Sequence, residues 1–149
     1  MFTYQLERPS ECQAELEGLL TMHWQELARH KDEIRLSVDW DAYKALELAD
    51  ILHMTTVRED GKLIGYIVIF VAPSLHYKEH VMAKDDVLFL HPDYRGTRAF
   101  ISLLKFTETY LEKLGVENFY IGVKLSHDFG SILERLGYIA IDKTYEKRL

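Results

Sequence analysis

Arg95, Gly96 and Arg98 stand close together in LFLHPDYRGTRAF, residues 88–100, between an apolar run and the start of an amphipathic segment. Two guanidinium groups supply fixed charge and planar donors that match phosphate oxygens. A glycine lets main chain approach a ligand without a Cβ in the way. If a helix begins here, its unpaired N–H groups and dipole add a further anion site. The chemistry on offer is anion binding, with a diphosphate as the natural guest. The segment is not a Walker-type loop, since no Gly-Lys-Ser/Thr follows, and it has one glycine where a dinucleotide fingerprint has three. The same residues also suit an ordinary strand-to-helix connection with solvated arginines, and spacing alone does not choose between the two.

Other reactive side chains point less clearly. His76 and His80 have i, i+4 spacing in HYKEH. They fall in an expected loop with no third ligand in view, so no metal is expected. Cys12 is the single cysteine, which excludes an internal disulfide framework, and it reads as a passive small residue. The formal net charge of -6 argues against a nucleic-acid partner and leans towards a cationic one. No basic-then-apolar leader and no apolar run of membrane-spanning length occur, so no membrane partner is expected and the cytoplasm is the expected location.

These residues need elements to position them. MFTYQLER reads as a first strand, ended by Pro9. Ser10 and Gln13 resemble a capping box, and Leu16, Leu19, Leu20, Trp24 and Leu27 follow at helical spacing. A second helix is expected from Asp39 to about Leu52. MTTVRED and KLIGYIVIFVA flank Asp60-Gly61, a strong hairpin signal. A strand from about Val81 to His91 leads into the turn. A helical stripe of Phe100, Leu103, Leu104, Thr107, Leu111 and Leu114 stops at Gly115. VENFYIGV reads as a strand, residues 128–136 as a short helix, and YIAIDKTYEKRL as one or two closing strands. The order predicts one α/β (α+β) domain over residues 1–149, with a mixed, mostly antiparallel central sheet flanked by helices.

Two segments resemble a known family. LFLHPDYRGTRAF with its long helix is similar to the coenzyme-binding motif of the GNAT superfamily of acyl-CoA-dependent N-acyltransferases: Leu88, Leu90 and Pro92 match its strand, and Arg95 the first position of its turn. ILERLGY, residues 132–138, resembles that family's LYEKLGF segment. The family's two turn glycines fall on Arg98 and Phe100, and its frequent acid tyrosine falls on Leu133, which has no proton to give.

The resemblance implies a GNAT-like fold and an N-acetyltransferase that moves an acetyl group from acetyl-CoA, as co-substrate, to a primary amine of a small molecule or protein. It places coenzyme along Leu88, Phe89 and Leu90 and over Arg95, Gly96, Thr97, Arg98, Ala99 and Phe100. It calls for a base near the fourth strand, where Asp86 is the first choice and Asp85 the second. In a regular strand Asp86 shares a face with Leu88 and Leu90, although a bulge would break that count. Both carboxylates equally suit edge-strand charges. His127 is the histidine placed to exchange a proton with thiolate or amine. Asp128 either orients it or caps a helix. Trp24, Trp40 and Tyr43 fall on the acceptor side, where most are expected in the core and one or two along the acceptor pocket; Glu47 and Asp50 either attract a cationic amine or, the first choice, are solvated helix charges. A homodimer is possible by the same resemblance. The altered glycines and missing tyrosine keep open a non-catalytic module that binds acyl-CoA or acts as an interaction protein.

Overall fold

A computed structural model describes all 149 residues. Nine main elements follow in order: β1 (Phe2–Leu6), α1 (Gln13–Leu27), α2 (Trp40–Leu48), β2 (Leu52–Glu59), β3 (Lys62–Pro73), β4 (Val81–Leu90), α3 (Ala99–Lys113), β5 (Val116–Tyr120) and α4 (Gly130–Arg135). The sheet runs β1-β2-β3-β4-β5. Every neighbouring pair is antiparallel except β4 and β5, which are parallel and joined through α3. Asp60 and Gly61 take φ of 47° and 86°, the paired positive values that let a tight hairpin follow strand twist.

β3 is apolar along nearly its whole length because helices cover both faces. On one face α1 and α2 pack over Leu52, Met54, Tyr66, Val68 and Phe89. On the other, α3 and α4 pack over Val57, Ile67, Ile69, Ala83 and Leu90. α3 buries Leu103, Leu104 and Leu111 in that second core, each worth about 1.5–3 kcal/mol of apolar transfer.

Three expectations are corrected. Ser10 and Gln13 form no capping box. Pro9–Glu11 is a 3₁₀ turn, and Ser10 instead donates its hydroxyl (2.7 Å) and its N–H (2.9 Å) to Glu47. An ionised carboxylate is the stronger partner, and the contact ties the start of α1 to α2. α2 is shorter than expected because Asp50 turns to φ 59° and the Ile51 N–H closes on the Leu46 carbonyl at 3.0 Å.

The closing strands do not form. Residues 139–149 carry no regular structure, and Ile139 and Ile141 are exposed despite their alternation. The tail is drawn to the end of α1 instead, through Glu146 with His30 and Arg29 and through Arg148 with Glu33.

β4 departs from regularity where it matters. Val68 pairs with Val87, and the next residue, Ile69, pairs with Asp85. Asp86 is therefore the extra residue of a β-bulge. β4 and β5 pair only from Val81 to Lys84 and then diverge, so a gap opens along Asp85–Leu90.

Candidate active site

The bulge separates the two aspartates. Asp85 lies at the root of the gap and accepts the Gly122 N–H at 2.8 Å. Burial raises its pKa and that amide partly opposes the rise. Asp85 thus clamps β4 to the chain leaving β5. Asp86 turns to the face covered by α1 and α2, the face of Val87 and Phe89. It does not share the face of Leu88, which packs with α3. The regular alternation assumed from sequence fails at the extra residue. Asp86 is exposed, yet the protein wall on its inner side removes enough water to raise its pKa. Its charge reaches Tyr43, whose phenol is pushed up to about 12 by burial first and Asp86 second.

The gap presents main chain. The His91 N–H donates to the Ile64 carbonyl of β3 at 2.8 Å. Strand alternation then turns the N–H and C=O of Leu88 and Leu90 away from β3 and into the gap. Pro92–Tyr94 forms a 3₁₀ turn below it, and α3 begins at Ala99. The Thr97 hydroxyl donates to the Tyr94 carbonyl (2.6 Å) and accepts the Ala99 N–H (3.2 Å). The N–H groups of Gly96, Arg98, Phe100 and Ile101 find no acceptor in the chain. Four main-chain donors at or just ahead of the start of a 15-residue helix are therefore left without an acceptor.

The two positions that depart from the family's glycines leave this mouth open. Arg98 has φ −73° and ψ −8°, ordinary helical values, and its side chain is exposed. The Phe100 ring turns away to meet Phe129 edge-on at 5.4 Å, on the α3 side of the sheet. Only Gly96 carries the positive φ, +80°, that a side chain resists. Leu133, at the family's tyrosine position, is buried in core.

Arg95 holds the turn in place. Its Nε donates to the Leu90 carbonyl at 3.0 Å, and Nη1 and Nη2 each donate to one Glu26 oxygen at 2.7 Å. Its guanidinium lies 5.4 Å above the Phe89 ring centroid. Three of five donors are used, and two N–H bonds remain for a ligand. The Arg95 guanidinium keeps Glu26 below the usual carboxylate range. His127 Nε2 sits 3.7 Å from the same carboxylate, so the structure groups His127 with Glu26 and Arg95 and gives it no contact with Asp86. Asp128, one residue ahead of the α4 N-cap Phe129, accepts the Gly130 N–H at 2.8 Å in a local turn and neither caps the helix from the N-cap position nor orients His127.

On the α1 face, His23 and Tyr66 were not legible as site residues. The His23 ring stacks on Phe89 at 5.0 Å, and Nδ1 lies 3.0 Å from the Tyr66 hydroxyl. A usable signal existed. The buried stripe Leu16, Leu19, Leu20 continues at the next helical step into His23, and a polar residue on a buried stripe asks for a reason. Trp40 instead donates its indole N–H to Glu17 at 2.9 Å and leans on Tyr43. His80 pairs with Glu117, and no group of three metal-ligating side chains occurs.

Burial pushes the His23 pKa from 6.5 down to about 4, so it is neutral at pH 7. Between those values the unfolded chain binds more protons than the folded one. Stability therefore rises with pH across that window and is lost as pH falls through it. After allowance for partial exposure the contribution is on the order of 2 kcal/mol. Urea denaturation at neutral pH and at about pH 4.5 should show a larger loss for the wild type than for His23→Gln. Equal losses would contradict a buried, neutral His23.

The sequence matches the profile of the Acetyltransferase (GNAT) family over residues 15–138. No curated protein sequence is similar enough to match. Among solved structures, the fold is similar to a ribosomal-protein-alanine N-acetyltransferase from Brucella melitensis biovar Abortus 2308, at 18% identity, TM-score 0.76 and coverage of 100% and 99% of the two chains. It is also similar to an aminoglycoside acetyltransferase, HMB0005, from an uncultured soil metagenomic sample, at 12% identity, TM-score 0.79 and coverage of 100% and 99%. A predicted acetyltransferase from Clostridium acetobutylicum, solved with acetyl-CoA, aligns at 12% identity, TM-score 0.71 and coverage of 99% and 96%.

Proposed function

We propose that this chain, which belongs to the GNAT acetyltransferase family, moves an acetyl group from acetyl-CoA to a primary amine of a small molecule or protein. The observation that carries this reading is the set of four unpaired N–H groups at the mouth of α3, opening beside the gap between β4 and β5. The amides of Gly96, Arg98, Phe100 and Ile101 hold the coenzyme diphosphate, with Arg98 and the free N–H bonds of Arg95 adding charge. The pantetheine arm follows the gap along Leu88, Phe89 and Leu90, where inward-turned main chain extends the ladder. The Leu88 N–H is the donor for the negative oxygen that develops on the thioester carbonyl.

Asp86 is the base. Its raised pKa brings it nearer to working pH and makes its carboxylate a better proton acceptor. The neutral amine nitrogen attacks the carbonyl carbon, the C–S bond breaks, and sulfur leaves with the electron pair. The surplus ammonium proton passes to Asp86, directly or through water. A thiol pKa of about 8.5 lets the thiolate leave without an obligatory acid, which accommodates leucine at position 133. Besides contacting the diphosphate, Arg95 ties α1 to the turn through Glu26, and His127 lies beside that same carboxylate.

The test is a thermal shift with acetyl-CoA, CoA and ATP, followed by thiol release over an amine panel. Acetyl-CoA and CoA should raise Tm and some amine should turn over. Saturable CoA binding with no turnover on any amine would favour the non-catalytic acyl-CoA-binding module, and no CoA binding would leave only an interaction protein.

A further inference from the structure

The end of α1 carries a cavity of about 260 Å³ whose apolar wall is Trp24, Leu27 and Ile34. Its polar rim is Arg29, His30 and Lys124, to which the tail adds Glu146. The cavity begins just beyond His23 and Glu26 along α1, and the Glu26 carboxylate there binds Arg95 and lies 3.7 Å from His127. Lys124 lies at the far side of the gap, in the chain leaving β5, and its charge reaches both His23 and Glu146.

The local charge runs against that of the whole chain. Net charge is -6 overall, whereas the cavity sets Arg29 and Lys124 against one carboxylate, with His30 beside them. That carboxylate is the chain's own. Glu146 Oε1 sits 2.9 Å from His30 Nε2 and 3.4 Å from Arg29 Nε. The pairs are exposed, and water screens exposed pairs until they hold only weakly. Arg148 with Glu33 adds one more contact of the same kind. A carboxylate resting weakly on basic residues, beside an apolar wall and close to the Glu26–Arg95 pair, marks what the cavity is built to receive.

We infer that this cavity binds the carboxylate of the amine acceptor through Arg29, His30 and Lys124, and that Glu146 occupies the same place until the acceptor displaces it. The acceptor class is then an α-amino acid, or a small peptide with a nearby carboxylate, whose apolar side chain lies against Trp24 and Ile34. This rests on the acyl-transfer reading for its meaning, but the cavity can be tested without turnover.

Titration calorimetry with the standard α-amino acids and their amides provides the test. At least one apolar amino acid should bind about three- to tenfold tighter than its amide, as for a charge-assisted contact. Arg29→Ala should erase that preference, and Glu146→Gln should tighten the acid form by removing the internal competitor. Amides binding as well as acids, no member of the panel binding, or Glu146→Gln weakening the acid form would each overturn the inference. Turnover confined to amines without a carboxylate would also overturn it and leave the acyl-transfer reading standing. Failure to bind acetyl-CoA would remove that reading while the calorimetry still reported on the cavity.

Discussion

Asp86→Asn should lower kcat by about 10²–10⁴-fold, the usual scale of a lost general base, while CoA affinity stays within about twofold. The asparagine keeps the size of the side chain and its place on the bulge, so an effect on turnover alone isolates the proton transfer. Asp85→Asn is the informative companion. The amide oxygen that this substitution introduces can still accept the Gly122 N–H that Asp85 Oδ1 now accepts, so the variant should keep the clamp and lose little activity. The low-pH limb of kcat/KM should disappear in Asp86→Asn and persist in Asp85→Asn. Full turnover in Asp86→Asn, measured by thiol release, would reduce Asp86 to a solvated charge on the bulge.

Gly96→Val should weaken CoA binding by about 10- to 100-fold. No atom lies within 4 Å of the place a Cβ would occupy, so the cost is not a clash. It arises from φ +80°, which L-residues resist by roughly 1–2 kcal/mol and β-branched residues by more. Relieving that strain rotates the turn and misaims the amides on either side of it. Gly96→Asn should restore most of the affinity, because asparagine tolerates the left-handed region. Arg98→Glu places a negative charge at the same mouth without touching the backbone, and its effect should fall with added salt. Calorimetry on the three variants checks this. Gly96→Val binding CoA normally would mean that the turn does not contact the ligand.

Features that depend on neighbouring residues were legible in the sequence. Asp60-Gly61 specified its hairpin, and the step from Leu90 through Pro92 to Gly96 marked the end of a strand and the entry to a helix. Features that depend on distant pairing were not. Arg95 and Glu26 are 69 positions apart, and nothing local in either segment says that they meet. The side to which Asp86 turns is set by how β4 registers against β3, and one extra residue reverses the alternation. YIAIDKTYEKRL alternates like a strand, but its alternation cannot report that Glu146 and Arg148 meet partners at the end of α1 instead. His23 is the intermediate case, anomalous within its own helix yet interpretable only beside Tyr66 and Phe89.

Amide NMR during a titration with CoA, set against pantetheine, which lacks the diphosphate, is the most direct measurement. The predicted result is saturable movement of the Gly96, Arg98, Phe100 and Ile101 N–H resonances with CoA and none of comparable size with pantetheine. Resonances that stay still at saturating CoA, or that move equally with pantetheine, would contradict diphosphate binding at the mouth of α3.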